Sequence, residues 1–188
     1  CTVCGSAEET AKIAKLKPTI TLNLSVKEPL PLQVKQSYQV VASKLAAGDK
    51  VVSWKSSNKK SVTVSSKGKI TGKKKGKAVI TVKLLSGKTT KFTVKVQNGI
   101  VETSSIKVVN KATGAKLPKE TILKVKKKLS LKTTVAPVTS KQKVTYSSSN
   151  KKIAEVTSKG VITAKKKGTA VITVKSGKKT VKIKVKVK

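Results

Sequence analysis

Apolar and polar residues alternate along most of this chain in short runs, which Gly, Ser and Asn residues separate. In the last run Val181, Ile183, Val185 and Val187 alternate with lysines, and residues 89–96 show the same period. A period of two places alternate side chains on opposite faces of a β-strand. The pattern therefore predicts an all-β protein whose strands have one face in a core and the other in water.

Runs rich in Val, Ile and Thr predict two sets of strands. The first set covers residues 19–24, 30–34, 37–45, 51–56, 61–65, 69–72, 77–84 and 89–96. The second set covers residues 104–109, 121–125, 128–136, 143–148, 153–157, 161–164, 169–175 and 179–187. Residues 1–17 lack this alternation, although residues 8–16 could form one or two helical turns.

One block of sequence occurs twice. Residues 52–83 recur as residues 144–175, 92 positions later, with Asn58 matching Asn150 and an identical Ala-Val-Ile-Thr-Val-Lys segment at the end of each copy. A repeat of this length corresponds to a domain rather than to one unit of a solenoid. The chain is therefore predicted to contain a leader or linker at 1–17, a first domain at 18–97, a linker at 98–103 and a second domain at 104–188.

The charge of the chain is strongly unbalanced. Its formal net charge of +37 arises from 44 basic residues, all of them lysine, against seven acidic residues. Such a charge attracts polyanions through a field that salt screens. The lack of arginine and the 2% aromatic content argue against specific nucleic-acid recognition, because bidentate base contacts and base stacking use those side chains. A simpler interpretation is that the lysines line solvent faces and keep strand edges from pairing with other chains.

The sequence offers few groups for catalysis or metal binding. It has no His, and no acidic residue lies between residues 50 and 101 or after Glu155. Acid–base pairs, Ser-His-Asp arrangements and metal clusters therefore cannot be assembled in the repeated blocks. Asp49 and Glu102 are too few ligands for calcium, and Glu155, expected to point outward, is unsuited to promote a Lys–Asn cross-link. We predict no catalytic, cofactor or metal site.

Cys1 and Cys4 precede the first repeat, so neither domain is expected to hold an internal disulfide. Three explanations stay open: a local disulfide, a lipid on Cys1 as in a mature bacterial lipoprotein, or a remnant of a preceding segment. A metal or redox role is disfavoured because no His follows and no second Cys pair exists. The chain has no signal peptide, no initiator Met and no apolar run near the ~18 residues of a membrane span, so we expect a processed or excised piece that would touch a membrane only through a lipid on Cys1.

Several linked motifs recur in the same order in both repeats. An aromatic residue leads into Ser-Ser-Asn (Trp54 to Asn58 and Tyr146 to Asn150), followed by V-x-V or A-x-V, Lys-Gly-x-Ile-Thr and Lys-Gly-x-Ala-x-Ile-Thr. In this combination each repeat resembles a bacterial immunoglobulin-like domain of group 2 (Big-2). The resemblance implies two tandem immunoglobulin-like β-sandwich domains, with the aromatic residue between the sheets and the asparagine capping a turn. It also implies an extracellular location in bacterial surface proteins, adhesins of the intimin and invasin type, secreted polysaccharide enzymes or phage virion proteins.

Antiparallel strand order places two lysine-rich loops at the same pole of each predicted domain. These lysines are our candidate polyanion-binding residues: Lys59, Lys60, Lys73, Lys74 and Lys75 in the first domain, and Lys151, Lys152, Lys165, Lys166 and Lys167 in the second. The first set should face the domain junction and the second the far tip, where no acidic residue of the chain is expected to neutralise it. The alternative is that both sets are simply solvated.

The sequence thus predicts a non-enzymatic module of a bacterial surface or secreted protein that acts as a stalk or adhesion element. Its expected partners are an anionic cell-wall polymer or glycan, or a host surface protein, and no cofactor is expected. One alternative is a structural subunit of a virion or extracellular filament that assembles with copies of itself. The other is unspecific binding of nucleic acid through charge.

Overall fold

The computed structural model describes residues 21–22, 29–43, 45 and 47–188. The predictions for the leader, for Cys1 and Cys4, and for most of the strand expected at 19–24 lie outside these residues. The described residues form β-strands joined by turns, without a helix.

The first repeat contains strands β1 (Thr21–Leu22), β2 (Leu30–Gln33), β3 (Ser37–Gln39), β4 (Ala42–Ser43), β5 (Val51–Ser56), β6 (Val62–Val64), β7 (Lys69–Gly72), β8 (Gly76–Leu84) and β9 (Thr89–Gln97). A four-stranded sheet has the order β2-β9-β8-β5, and a three-stranded sheet has the order β3-β7-β6. β1 pairs with β4.

The second repeat contains strands β10 (Ser105–Asn110), β11 (Glu120–Leu123), β12 (Lys128–Ala136), β13 (Val144–Ser148), β14 (Ala154–Val156), β15 (Val161–Ala164), β16 (Gly168–Ser176) and β17 (Lys179–Val187). Its two four-stranded sheets have the orders β11-β17-β16-β13 and β10-β12-β15-β14. The first of these matches the larger sheet of the first repeat strand for strand.

In both repeats a short edge strand runs parallel to the last strand: β2 to β9 and β11 to β17. The long hairpins β8–β9 and β16–β17 are antiparallel. The chain changes sheet between β5 and β6 and again between β13 and β14. This strand order is that of an immunoglobulin-like sandwich, so the predicted all-β fold with two tandem immunoglobulin-like domains is confirmed.

Each repeat has its own hydrophobic core. Phe92 and Val94, on the predicted inward face of β9, are fully buried in the first core. Ile183 and Val185 occupy the same position in the second core, with Val181 partly buried beside them. Burial of such side chains stabilises each fold by about 1.5–3 kcal/mol per residue, so the alternation read from the sequence identifies the inward faces correctly.

A serine of the repeated Ser-Ser-Asn motif fastens the corner where the chain changes sheet. Ser56 Oγ donates a hydrogen bond to the carbonyl oxygen of Val62 at 2.8 Å. Ser148 Oγ donates in the same way to Ala154 at 2.6 Å. The motif thus has a structural role in both domains.

The unbroken strand predicted at 37–45 was wrong. The structure has two short strands here, β3 and β4, separated by Val40 and Val41. At the break Gln39 Nε2 donates to the carbonyl oxygens of Val40 at 3.0 Å and of Lys67 at 2.7 Å. The Gln39 side chain therefore competes for backbone groups that strand pairing would use. The corresponding strand of the second repeat, β12, is continuous and pairs with both β10 and β15.

Candidate functional site: two lysine-rich poles

The turn after β5 and the loop between β7 and β8 meet at one end of the first sandwich. The backbone N–H groups of Lys73 and Lys74 both donate to the carbonyl oxygen of Ser61, at 2.7 and 3.3 Å. Asn58 caps the turn, because its Oδ1 accepts the N–H of Ser61 at 3.2 Å. Gly76 ends the loop at a φ of +156°, where a Cβ atom would overlap Ser61 Oγ. The lysines of both loops are therefore held together.

The second sandwich repeats this backbone arrangement. The N–H groups of Lys165 and Lys166 donate to the carbonyl oxygen of Ile153, at 2.8 and 3.3 Å. Asn150 Oδ1 accepts the N–H of Lys152 at 3.0 Å. The turn-capping role inferred for the two asparagines is thus present in both domains.

The ten candidate lysines form two clusters of exposed side chains, one in each domain. The first lysine pole comprises Lys59, Lys60, Lys73, Lys74 and Lys75, and the second lysine pole comprises Lys151, Lys152, Lys165, Lys166 and Lys167. The structure brings each set to one end of its sandwich, in two loops that backbone hydrogen bonds hold side by side.

The structure places one further lysine beside each pole, which the sequence reasoning missed. Lys35 follows β2 and Lys126 follows β11, both at positive φ (66° and 67°). Their N–H groups donate to Gly72 and Ala164, the residues immediately before the lysine loops, each at 2.8 Å. The two lysines occupy equivalent turns of the two repeats, and this equivalence was a signal that could have identified them. Their left-handed conformation was not readable, because such positions are normally marked by Gly or Asn.

The expectation that no acidic residue neutralises the second lysine pole was wrong. Lys165 Nζ lies 2.6 Å from Glu155 Oε2, and both side chains are about half exposed, at 48% and 46%. The hydrogen bond from Lys165, then its positive charge and that of Lys151, lower the pKa of Glu155 below its ordinary value. Glu155 lies on β14, from which its carboxylate reaches the neighbouring loop. One of the five charges is thereby compensated.

The first lysine pole lies at the end of its sandwich that meets the second domain. Gln36 links Gly72, in the first domain, to Thr139, in the second, through its backbone and its side chain. Its carbonyl oxygen accepts the N–H of Gly72 at 3.0 Å, and its side-chain Nε2 donates to the carbonyl oxygen of Thr139 at 2.6 Å. Thr139 Oγ1 in turn donates to the carbonyl oxygen of Pro31 at 2.5 Å. These bonds connect the two domains beside the first lysine pole, while the second lysine pole lies at the opposite end of its own domain, next to Lys188.

In the described part of the chain, no group of three or more His, Cys, Asp or Glu residues is placed to hold a metal ion. The same residues contain no helix that is long and apolar enough to cross a membrane.

Known proteins match the chain or parts of it. The family model described as bacterial Ig-like domain (group 2) matches residues 22–97 and 111–187. The kappa-carrageenase of Pseudoalteromonas carrageenovora is 56% identical over 50 residues, which are 26% of this chain and 13% of that enzyme. Domains 4 and 5 of the S-layer protein SbsC match 90% of this chain and 97% of theirs, with 20% identity and a TM-score of 0.43. An intimin mutant of EHEC O157:H7 matches 44% of this chain and 46% of its own, with 27% identity and a TM-score of 0.33.

The two regions that match the family model contain both copies of the repeated block, both hydrophobic cores and both lysine poles. The chain therefore belongs to the bacterial Ig-like domain (group 2) family, with two copies of the domain in tandem.

Proposed function

We propose that this chain is a structural module of a bacterial surface or secreted protein. Its two sandwiches act as a spacer or stalk without catalytic activity, and its lysine poles hold it to an anionic wall polymer or glycan. The family, whose members are bacterial Ig-like domains, supports the structural role.

The proposed attachment to an anionic polymer rests on one observation: five exposed lysines lie at one end of each sandwich. Like charges held this close repel one another, and that repulsion costs stability until an anion neutralises it. Glu155 compensates Lys165 alone. A polyanion that approaches the second lysine pole would therefore relieve repulsion as well as gain attraction.

The match to the kappa-carrageenase supports a setting close to polysaccharide, since that enzyme is named for one. The matched 50 residues are 13% of the carrageenase, and the enzymatic activity belongs to that protein. The charge of this chain would suit both an accessory domain beside an enzyme and a domain of a surface stalk.

The test is binding of the chain to isolated cell walls that carry teichoic acid, measured across a range of salt concentrations. Replacing the five residues of the second lysine pole with Gln should weaken binding strongly at low salt. The matched control removes the same number of charges elsewhere by replacing the exposed lysines Lys67, Lys69, Lys83, Lys159 and Lys175, and it should weaken binding much less.

Binding that ignores salt, or equal losses in the two variants, would contradict the proposal. A high-mass species in light scattering without added polyanion would point instead to self-assembly. Heparin and DNA should compete equally, because the poles offer charge without base recognition. Selective competition by DNA would also contradict the proposal.

A further inference from the structure

The last strand of the second domain carries a row of exposed lysines on the outer face of its sheet. Lys182, Lys184, Lys186 and Lys188 point to solvent, while the residues between them are buried or partly buried. Alternate residues of a strand are about 6.6–6.8 Å apart, so this lysine ladder presents positive charges at a regular spacing over roughly 20 Å.

The ladder is held rigidly by neighbours on both sides. β17 is paired along its length with β16, and from Lys184 onward it is also paired with the parallel strand β11. The N–H of Lys188 donates to the carbonyl oxygen of Leu123 at 3.0 Å, so the pairing continues to the last lysine of the row. Because the strand fixes the spacing of the Cα atoms before a ligand arrives, only the lysine side chains have to be ordered on binding. The lysines of the two poles lie in loops, without this regular spacing.

The flanks of the ladder are mostly uncharged. On β16 its neighbours are Thr173, Val171 and Thr169. On β11 the neighbour of Lys186 is Ile122, a large apolar side chain that is 54% exposed. A ligand that follows the ladder would thus meet a row of ammonium groups, with the apolar side chains of Val171 and Ile122 beside Lys184 and Lys186.

One acidic residue reaches the ladder from β11. Glu120 lies opposite Lys184, and its Oε1 is 2.9 Å from Lys184 Nζ. The hydrogen bond from Lys184 and the charges of Lys184, Lys186 and Lys188 lower the pKa of Glu120. The carboxylate already occupies the kind of position that an anionic group of a ligand would take.

The equivalent strand of the first domain lacks a continuous row. The register of the two hairpins aligns Lys182, Lys184, Lys186 and Lys188 with Lys91, Thr93, Lys95 and Gln97. Two uncharged residues therefore interrupt the series on β9. The two sandwiches share a fold and differ in this row, which makes the first domain an internal control.

We propose that the lysine ladder of β17 binds a linear polymer of glycerol phosphate, laid along the strand. In such a polymer six backbone bonds separate successive phosphates, as many as separate alternate residues of a strand, so an extended chain repeats about every 7 Å. Each phosphate meets one ammonium group, and the three-carbon unit between phosphates lies against Ile122 or Val171. This inference rests on the proposed function, names its polymer, and places that polymer on the ladder instead of on the lysine poles.

The experiment measures binding of the full chain to synthetic glycerol phosphate oligomers of increasing length at about 50 mM salt. Affinity should rise steeply up to four phosphates and slowly beyond. The variant K182Q/K186Q/K188Q should bind roughly 100-fold more weakly, at about fivefold per lysine near an anionic surface. The control K77Q/K91Q/K95Q, which removes three exposed lysines from the equivalent sheet of the first domain, should lose only a few-fold.

Two acidic residues provide a matched pair of variants in which a negative charge is removed instead of a positive one. Glu120→Gln frees Lys184 in the ladder, and Glu155→Gln frees Lys165 in the second lysine pole. We expect E120Q to bind about fivefold more tightly and E155Q to change by less than about twofold. A larger gain in E155Q would overturn the ladder and leave the proposed function standing, as would equal losses in the two triple variants. No binding by the unmodified chain would overturn both.

The spacing itself is tested with oligomers of ribitol phosphate, in which eight bonds separate the phosphates. K182Q/K186Q/K188Q should lose several-fold less affinity for these than for glycerol phosphate oligomers of equal charge. Equal losses with both polymers would show that the ladder recognises charge without spacing. Circular dichroism confirms that each variant is folded.

Discussion

The indole ring of Trp54 lies against the backbone of Gly68, so closely that a Cβ atom on Gly68 would be 2.7 Å from the ring and 2.8 Å from the carbonyl oxygen of Val40. Gly68 also has a φ of +78°. In the second domain Gly160 and Tyr146 stand in the same relation, with a distance of 3.0 Å. The tight turn in the Lys-Gly-x-Ile-Thr motif thus makes room for the aromatic residue of the opposite sheet.

Gly68→Ala should destabilise the first domain by about 3 kcal/mol, because it adds overlap with Trp54 to the strain of positive φ. Gly87→Ala is the control: its φ is +81°, but no described atom lies within 4 Å of the added carbon, so it should cost about 1 kcal/mol. Trp54 is the sole Trp of the chain, and its fluorescence during urea unfolding therefore reports on the first domain. Equal losses of stability in Gly68→Ala and Gly87→Ala would show that the indole ring of Trp54 does not restrict the residue at position 68.

Asn58→Ala should cost more than Asn150→Ala. The side chain of Asn58 bonds to the N–H of Ser61 at 3.2 Å, to Ser61 Oγ at 3.1 Å and to the carbonyl oxygen of Lys77 at 3.4 Å. For Asn150 one such bond is described, to the N–H of Lys152 at 3.0 Å. At about 1 kcal/mol per bond, we expect losses of about 3 and 1 kcal/mol. Hydrogen exchange of β8 and β16 measures each domain separately, and the reverse order would refute this assignment.

Thr139→Val should loosen the junction between the domains without unfolding either one. The change removes the hydrogen bond from Thr139 Oγ1 to Pro31 and keeps the shape of the side chain. The two domains should then tumble more independently, which NMR relaxation measures as shorter correlation times.

Thr133→Val is the matched control for the junction, because it removes a bond inside the second domain, from Tyr146 OH to Thr133 Oγ1 at 2.9 Å. It should lower the stability of that domain by about 1 kcal/mol and leave the tumbling unchanged. Unchanged tumbling in Thr139→Val as well would mean that this bond does not fix the junction.

The pairing of Glu155 should be visible in its titration. Because Lys165 lowers the pKa of Glu155, the folded protein holds this carboxylate ionised at pH values where the unfolded chain, near 4.3, takes up a proton. The pair therefore contributes stability above the unfolded pKa, and this contribution is lost as pH falls through the lower folded pKa. Carbon-detected NMR of the carboxylate should show the low midpoint.

Lys165→Gln should move the pKa of Glu155 back toward its ordinary value, with Lys151 still exerting a weaker pull. Lys159→Gln, an exposed lysine in the turn before β15, is the control and should leave the midpoint in place. A midpoint that does not respond to Lys165→Gln would remove this lysine as its cause.

Much of the fold could be predicted because alternation and turn residues are local signals. The predicted strand at 69–72 coincides with β7, and the one at 128–136 coincides with β12. Strand order was enough to gather the lysine loops, since antiparallel neighbours bring alternate connections to the same end. The parallel edge strand β11 was beyond such reasoning, because its pairing with β17 joins residues about sixty positions apart and no short turn announces it.

The parts of the site that were not predicted depend on the pairing of β11 with β17 or on side-chain conformation. Glu120 reaches Lys184 only because β11 lies beside β17. The bond between Glu155 and Lys165 depends on the reach of two long side chains. The lysine ladder was visible as an alternating run, but its flanks and its rigid support follow from the sheet.

The parallel pairing of β2 with β9 also sets how this edge of the first domain responds to tension. A pull applied between Leu30, at the start of β2, and Gln97, at the end of β9, acts at opposite ends of the paired segment. The load therefore runs along the strands and shears all of their hydrogen bonds at once, whereas a hairpin pulled at its open end would lose them one by one. An edge paired in this way resists extension until all of its hydrogen bonds give way together.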